Sequence, residues 1–108
     1  MARIYVAHKY GGDAQNMERA KKITHDLQIK HPENCYICPV TAFSHLGYKE
    51  IGCEQEMALC FDLLQICDIL IVASEISDGI QMEIDLAKKL KNADGEPMEV
   101  VYLDTKRN

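Results

Sequence analysis

Two short segments of this 108-residue chain carry the residue types that do chemistry on small molecules. The first is Ser77-Asp78-Gly79-Ile80-Gln81-Met82-Glu83-Ile84, which sets two carboxylates at an expected helix start. Asp78 with Gln81 three residues later has the spacing of a capping box. Glu83 falls near the end of the first turn and admits two readings. It is either an acid favoured by the helix dipole, or a carboxylate leaning back over the helix N-terminus into a cleft. The second segment is His8-Lys9-Tyr10-Gly11-Gly12-Asp13, ending near Asn16. Paired glycines permit a tight turn and close backbone approach, and the amides opening a helix attract anions. A phosphate-bearing ligand is the expectation there; the plainer reading is a strand-to-helix turn with Asp13 as N-cap. The spacings of a P-loop and of G-x-G-x-x-G are both absent.

Of the four histidines, His25 and His31 fall on or just after the polar face of a helix and are expected in solvent. His8 and His45 fall at the expected mouth of a cleft. No H-x-E or H-E-x-x-H pair is present, so metal-assisted hydrolysis is not expected, and no cofactor is implied. The cysteines do not read as a metal set either. Cys35 and Cys38 lie in a β-prone run, where residues three apart point to opposite faces. Cys53, Cys60 and Cys67 recur every seven residues along one helical stripe, where free cysteine packs as a small hydrophobe. Asp62 and Asp68 read as surface or capping carboxylates.

These residues need elements to position them, and hydrophobic patterning supplies those elements. Arg3–His8 reads as a buried strand and Ala14 to about Lys30 as a helix ended by Pro32. Cys35–Phe43 reads as a second strand interrupted by Pro39, which marks an edge or the strand's end, and Ser44–Glu50 as a loop. Glu50–Cys67 is the longest helical pattern. Asp68–Ala73 follows as a nearly apolar strand covered on both faces. Gly79–Lys91 is the last helix, Asn92–Pro97 a turn-rich loop and Met98–Leu103 the last strand. Strands alternating with helices predict an α/β fold, Rossmann-like or flavodoxin-like, with a four-stranded parallel sheet in the order 2-1-3-4. Ligands bind such sheets beyond the strand C-termini, at the point where the order reverses. That rule gathers His8–Asn16, Thr41–Tyr48 and Ser74–Glu83 around one cleft.

Composition agrees with a single domain over residues 1–108, at 47% hydrophobic and 27% charged residues. Twelve basic against seventeen acidic residues give a net charge of −5, which argues against a nucleic-acid duplex as partner. No apolar run approaches a membrane span, and Met1–Asp13 lacks a signal-peptide core. An odd cysteine count fits a reducing compartment, so a cytoplasmic protein is expected.

Taken in order, Ile4-Tyr5-Val6-Ala7, Tyr10-Gly11-Gly12-Asp13 with Asn16, Cys67–Val72, and Ser77-Asp78-Gly79 through Met82-Glu83-Ile84 to Ala87-Lys88-Lys89 carry a family likeness. The chain resembles the nucleoside 2-deoxyribosyltransferase-like superfamily, in particular its small bacterial and phage branch. Three recurring segments of that branch are matched by His8–Gly12, Pro39–Phe43 and Ser77–Ile84. The resemblance implies a Rossmann-like domain that cleaves the N-glycosidic bond of a 2′-deoxynucleoside or its 5′-monophosphate, as transferase or hydrolase. It implies Glu83 as nucleophile on the anomeric carbon, Tyr5 as the group orienting it, and Asp78 as the residue handling base protonation. Tyr10, Gly11, Gly12, Asp13 and Asn16 would bind the sugar or phosphate, with His8, His45, Ser77 and Gly79 completing the site. Two other classes fit the same residues: a non-catalytic module binding a nucleotide in that cleft, and an interaction domain that only keeps the fold. The apolar stripe Ile51, Met57, Cys60, Leu64, Cys67 exceeds what one sheet face needs, which predicts a homo-oligomer packed through that helix.

Overall fold

The computed structural model describes residues 1–92 and 94–103. Eight elements follow in order: β1 (Arg3–Ala7), α1 (Ala14–Lys30), β2 (Cys35–Ile37), α2 (Pro39–Ala42), α3 (Cys53–Gln65), β3 (Ile69–Val72), α4 (Asp78–Ala87) and β4 (Glu99–Tyr102). The strands form one all-parallel sheet in the order β2-β1-β3-β4. This is the α/β architecture and strand order expected from the patterning.

Strand periodicity divides the core. Ile4 and Val6 point to one face of β1, where they pack with Ala20 of α1, Cys38, Ile71 and Ala73. Tyr5 and Ala7 point to the other, against Leu64 of α3, Leu70, Val72, and Ile80, Ile84 and Ala87 of α4. Helices α1 and α2 therefore cover one face of the sheet and α3 and α4 the other. Central β1 and β3 have no solvent-facing side, which is why their sequences are almost unbroken apolar runs. Register is set at both ends of this pair. The Asp68 carboxylate accepts from the Arg3 amide at 2.9 Å, and the Ala73 amide donates to the Ala7 carbonyl at 2.8 Å. Asp68 is thus a clamp between strands.

Several boundaries fall inside the expected ones. β1 ends at Ala7, one residue before His8. The second strand is only Cys35–Ile37: it lies at the sheet edge and ends before Pro39, as the proline implied, but Pro39 then opens α2, so the strand does not run on to Phe43. Proline suits that first helical position, having no amide to leave unpaired. α3 begins at Cys53 after Gly52, whose φ of 89° favours glycine. It stops at Gln65, so Cys67 lies beyond the helix although it is buried in the same core. α4 runs Asp78–Ala87, starting one residue earlier and ending four earlier than its pattern. Of the last loop and the domain limits, residues 93 and 104–108 lie outside the described residues. No helix among the described residues is long and apolar enough to cross a membrane.

Leu64 is fully buried between the sheet and α4. Leu64→Ala is expected to cost about 2–5 kcal/mol, read as a lower urea midpoint at unchanged slope.

Candidate active site

A cavity of about 750 Å³ opens beyond the C-terminal ends of the strands, where the sheet order reverses between β1 and β3. Three strands hand residues to it: His8 and Lys9 after β1, Pro39 and Val40 after β2, Ser77 and Asp78 after β3. The loop between α2 and α3 forms the outer wall with Phe43, Leu46 and Tyr48, and α3 contributes Glu56, Met57 and Cys60. The exits of β1 and β3 are tied together, because the Lys9 amide donates to the Ser74 hydroxyl at 2.9 Å.

Glu83 is the group at the centre. It lines the cavity yet is only 6% exposed, and the Tyr5 hydroxyl donates a hydrogen bond to its Oε2. Tyr5 is itself wholly buried, in the central strand. Burial is the main reason the Glu83 carboxyl is pushed up to about 7, and the phenol hydrogen bond opposes that rise. Burial and the neighbouring carboxylate raise the Tyr5 pKa, so the phenol stays neutral and keeps its proton to donate. The nearby Cys60 thiol is pushed up to about 11 by burial first and by the Glu83 charge second, so it is no thiolate. Glu83 lies in the second turn of α4, whose only first-turn acid is Asp78. Burial, rather than the helix terminus, governs its chemistry.

The expected capping box does not form. Ser77 is the N-cap, its hydroxyl accepting from the Ile80 amide at 3.2 Å, and Gln81 bonds Asp85 instead. A hydroxyl on Ser77 already meets the N-terminal amides, which frees the exposed Asp78 side chain at the cavity rim. Gly79 also lines the cavity, with the Met57 sulfur 3.5 Å from where a Cβ would stand.

On the opposite wall are His8, Tyr10, Gly11 and Asn16. The Asn16 amide donates to the Tyr10 carbonyl at 3.1 Å and holds that loop in place. Gly12, Asp13 and His45 do not line the cavity. Gly12 has φ of 78°, and the Tyr48 ring lies 2.8 Å from where its Cβ would be, so the ring covers it. Asp13 is the N-cap of α1, accepting from the Gln15 amide at 2.8 Å. His45 is exposed and meets Phe43 edge-on, with ring centroids 6.4 Å apart.

Sequence reasoning passed over Glu56, Tyr48 and Cys60 as site residues. Glu56 stands four residues before Cys60, and so on the same face of α3; that spacing was the available signal. Its Oε1 is buried without a hydrogen-bond partner among the described residues. Tyr48 gave no local signal, since it depends on a loop folding back over Gly12. The α3 stripe that suggested an oligomer is largely used within the chain. Leu64 and Cys67 enter the core, Met57 and Cys60 line the cavity, and only Ile51 is exposed.

Residues 2–93 match the family described as "Domain of unknown function (DUF7768)". The chain belongs to this family. The match takes in every cavity-lining residue and ends before β4. No curated protein matches the sequence. The DUF7768 domain is therefore read from its own geometry: a buried carboxylate with one neutral donor, facing a cavity large enough for a small organic ligand.

Two outcomes follow from that carboxylate. Below its ordinary value of 4.5, Glu83 is protonated whether the chain is folded or not. Between there and about 7 the folded chain alone keeps the proton, so stability falls as pH rises through this window. The loss approaches about 3 kcal/mol above it. Urea denaturation from pH 4 to 8 should show this decline, and Glu83→Gln should flatten it. Tyr5→Phe removes the one group lowering the Glu83 pKa, and carboxyl-carbon NMR titration should find it higher still.

Proposed function

We propose that the DUF7768 domain cleaves the N-glycosidic bond of a 2′-deoxynucleoside or its 5′-monophosphate, by transfer or hydrolysis, with Glu83 as nucleophile. The observation that carries this reading is the hydrogen bond from the Tyr5 phenol to a buried Glu83 that fronts the cavity. A carboxylate attacking carbon must be fixed and poorly solvated while still ionised in part near neutral pH. Held by Tyr5 at Oε2 and titrating near 7, Glu83 satisfies each condition.

In the first step Glu83 Oε1 bonds to the anomeric carbon as the carbon–nitrogen bond breaks. The bonding pair leaves on the base nitrogen, which takes a proton from Asp78 at the rim or from water through it. In the second step a water, or the ring nitrogen of another base, attacks the same carbon. Glu83 departs as carboxylate, and the attacking group's proton returns to Asp78 or solvent. Two inversions retain configuration. The apolar wall of Phe43, Leu46 and Met57 suits a nucleobase.

We also place the domain in the cytosol, in keeping with five free thiols. Self-association is part of the same reading, with Ile51, Ile66, Ile76 and Tyr102 exposed.

The test is base release from a panel of deoxynucleosides and their monophosphates, followed by chromatography. Wild type should release free base, and Glu83→Gln should lose on the order of 10³-fold or more. Undiminished release by that variant would remove Glu83 from the reaction. Saturable binding without release would leave a nucleotide-binding module.

A further inference from the structure

The second displacement makes a demand that the first does not. Each displacement enters from the side opposite the group it expels. Once Glu83 holds the anomeric carbon, water therefore arrives on the face the base has left. Water is a weak nucleophile until a neighbouring group takes its proton, and that group must stand across the cavity from Glu83. Asp78 is in the first turn of the same helix as Glu83, α4.

His8 stands on the other side. Along β1, Tyr5 and Ala7 face α4 while Ile4 and Val6 face α1. Alternation carried one residue past the strand sets His8 towards α1. It lines the cavity and is only 7% exposed. Its Nδ1 lies 2.7 Å from the Lys9 carbonyl, and the Lys9 amide is pinned to the Ser74 hydroxyl at 2.9 Å. A carbonyl only accepts, so Nδ1 carries the ring proton and Nε2 the lone pair. Nε2 is not sealed away, since Glu56 Oε1 is the one buried side-chain oxygen or nitrogen left unpartnered among the described residues. Burial lowers the His8 pKa below its usual 6.5; the Lys9 and Arg19 charges add to this, while the Lys9 carbonyl and Glu75 oppose it. The ring is thus neutral at pH 7 and oriented from behind, as a general base requires.

We infer that His8 is the general base of the second step, so that water alone resolves the glycosyl-enzyme and the domain is a hydrolase. Nε2 takes a proton from the water as its oxygen bonds to the anomeric carbon. The bond from that carbon to Glu83 Oε1 breaks, its electron pair staying on the carboxylate, and the imidazolium passes its proton to solvent. The substrate rests on the functional reading above; the choice of His8 over Asp78 rests on the placement of the two groups about Glu83.

Wild type given a deoxynucleoside or its monophosphate, with no second base added, should release many equivalents of base per chain. Release that stops at one equivalent until a second base is supplied overturns the inference, and this measurement needs no variant to fold. His8→Gln, checked for folding by circular dichroism, should release one equivalent in a burst and then turn over about 10²–10⁴-fold more slowly. Mass spectrometry should find its deoxyribosyl ester on Glu83. Azide, an anion with no proton to lose, should restore turnover and yield 2-deoxyribosyl azide. Unchanged steady turnover in His8→Gln overturns the role of His8 alone, and so does loss of the burst in the folded variant. No base release by wild type overturns both this role and the glycosidic reading.

Discussion

A carboxylate removed from water and given one neutral hydrogen-bond donor is the constraint around which this molecule is arranged. Burying a charge without compensation is costly, and the usual response is a rise in pKa until the group is neutral near physiological pH. Glu83 stops short of that limit because the Tyr5 phenol favours its ionised form, leaving it near 7, poised between acid and anion. The phenol can do this only while it stays protonated, and its own burial ensures that. Each partner's desolvation therefore conditions the other. Removing either changes the state of the one that remains, so the pair acts as a unit.

The pair is also a structural joint. Tyr5 belongs to the central strand and is fixed on both sides, paired with Ile37 of β2 and Leu70 of β3. Glu83 belongs to α4, seated by Ile80, Ile84 and Ala87 against the same sheet face. Their hydroxyl and carboxylate meet only if strand register and helix placement are both correct. Helix α3 shares this double duty. Its Leu64 closes the core while Glu56, Met57 and Cys60 face the cavity, so the floor of the site is the roof of the hydrophobic core.

What could be read from sequence follows from which forces are local. The strand order and the gathering of three loops at the sheet's end follow from apolar runs, helical periodicity and the rules of parallel sheets. All three loops do contribute to the cavity. Element ends were less legible, because competing caps decide them: Ser77 and Asp78 are both good N-caps, and the hydroxyl took the position. Pro39 was read as marking an edge or the end of a strand, and β2 is an edge strand that ends just before it; that the same residue also starts a helix was not legible, since both uses exploit the same missing amide. Burial of Glu83 was out of reach. A helix pattern places it beside Ile84, but whether the position is wet depends on Tyr5 arriving from a strand far away in the chain.

The glycine pair shows how one local signal admits two uses. Gly11 and Gly12 both take positive φ, as a tight strand-to-helix turn requires, and the same freedom would let a phosphate approach the backbone. Absence of a side chain is the whole signal in either case, so sequence has no means of separating them. In the structure the Tyr48 ring packs on Gly12 and meets Tyr10 edge-on, with centroids 5.8 Å apart. Gly12 yields its space to that ring, while Gly11 lines the cavity with nothing within 4 Å of where its Cβ would stand. The turn thus contributes to the wall of a cavity whose lining also holds Lys9, Lys49, Glu56, Asp78 and Glu83.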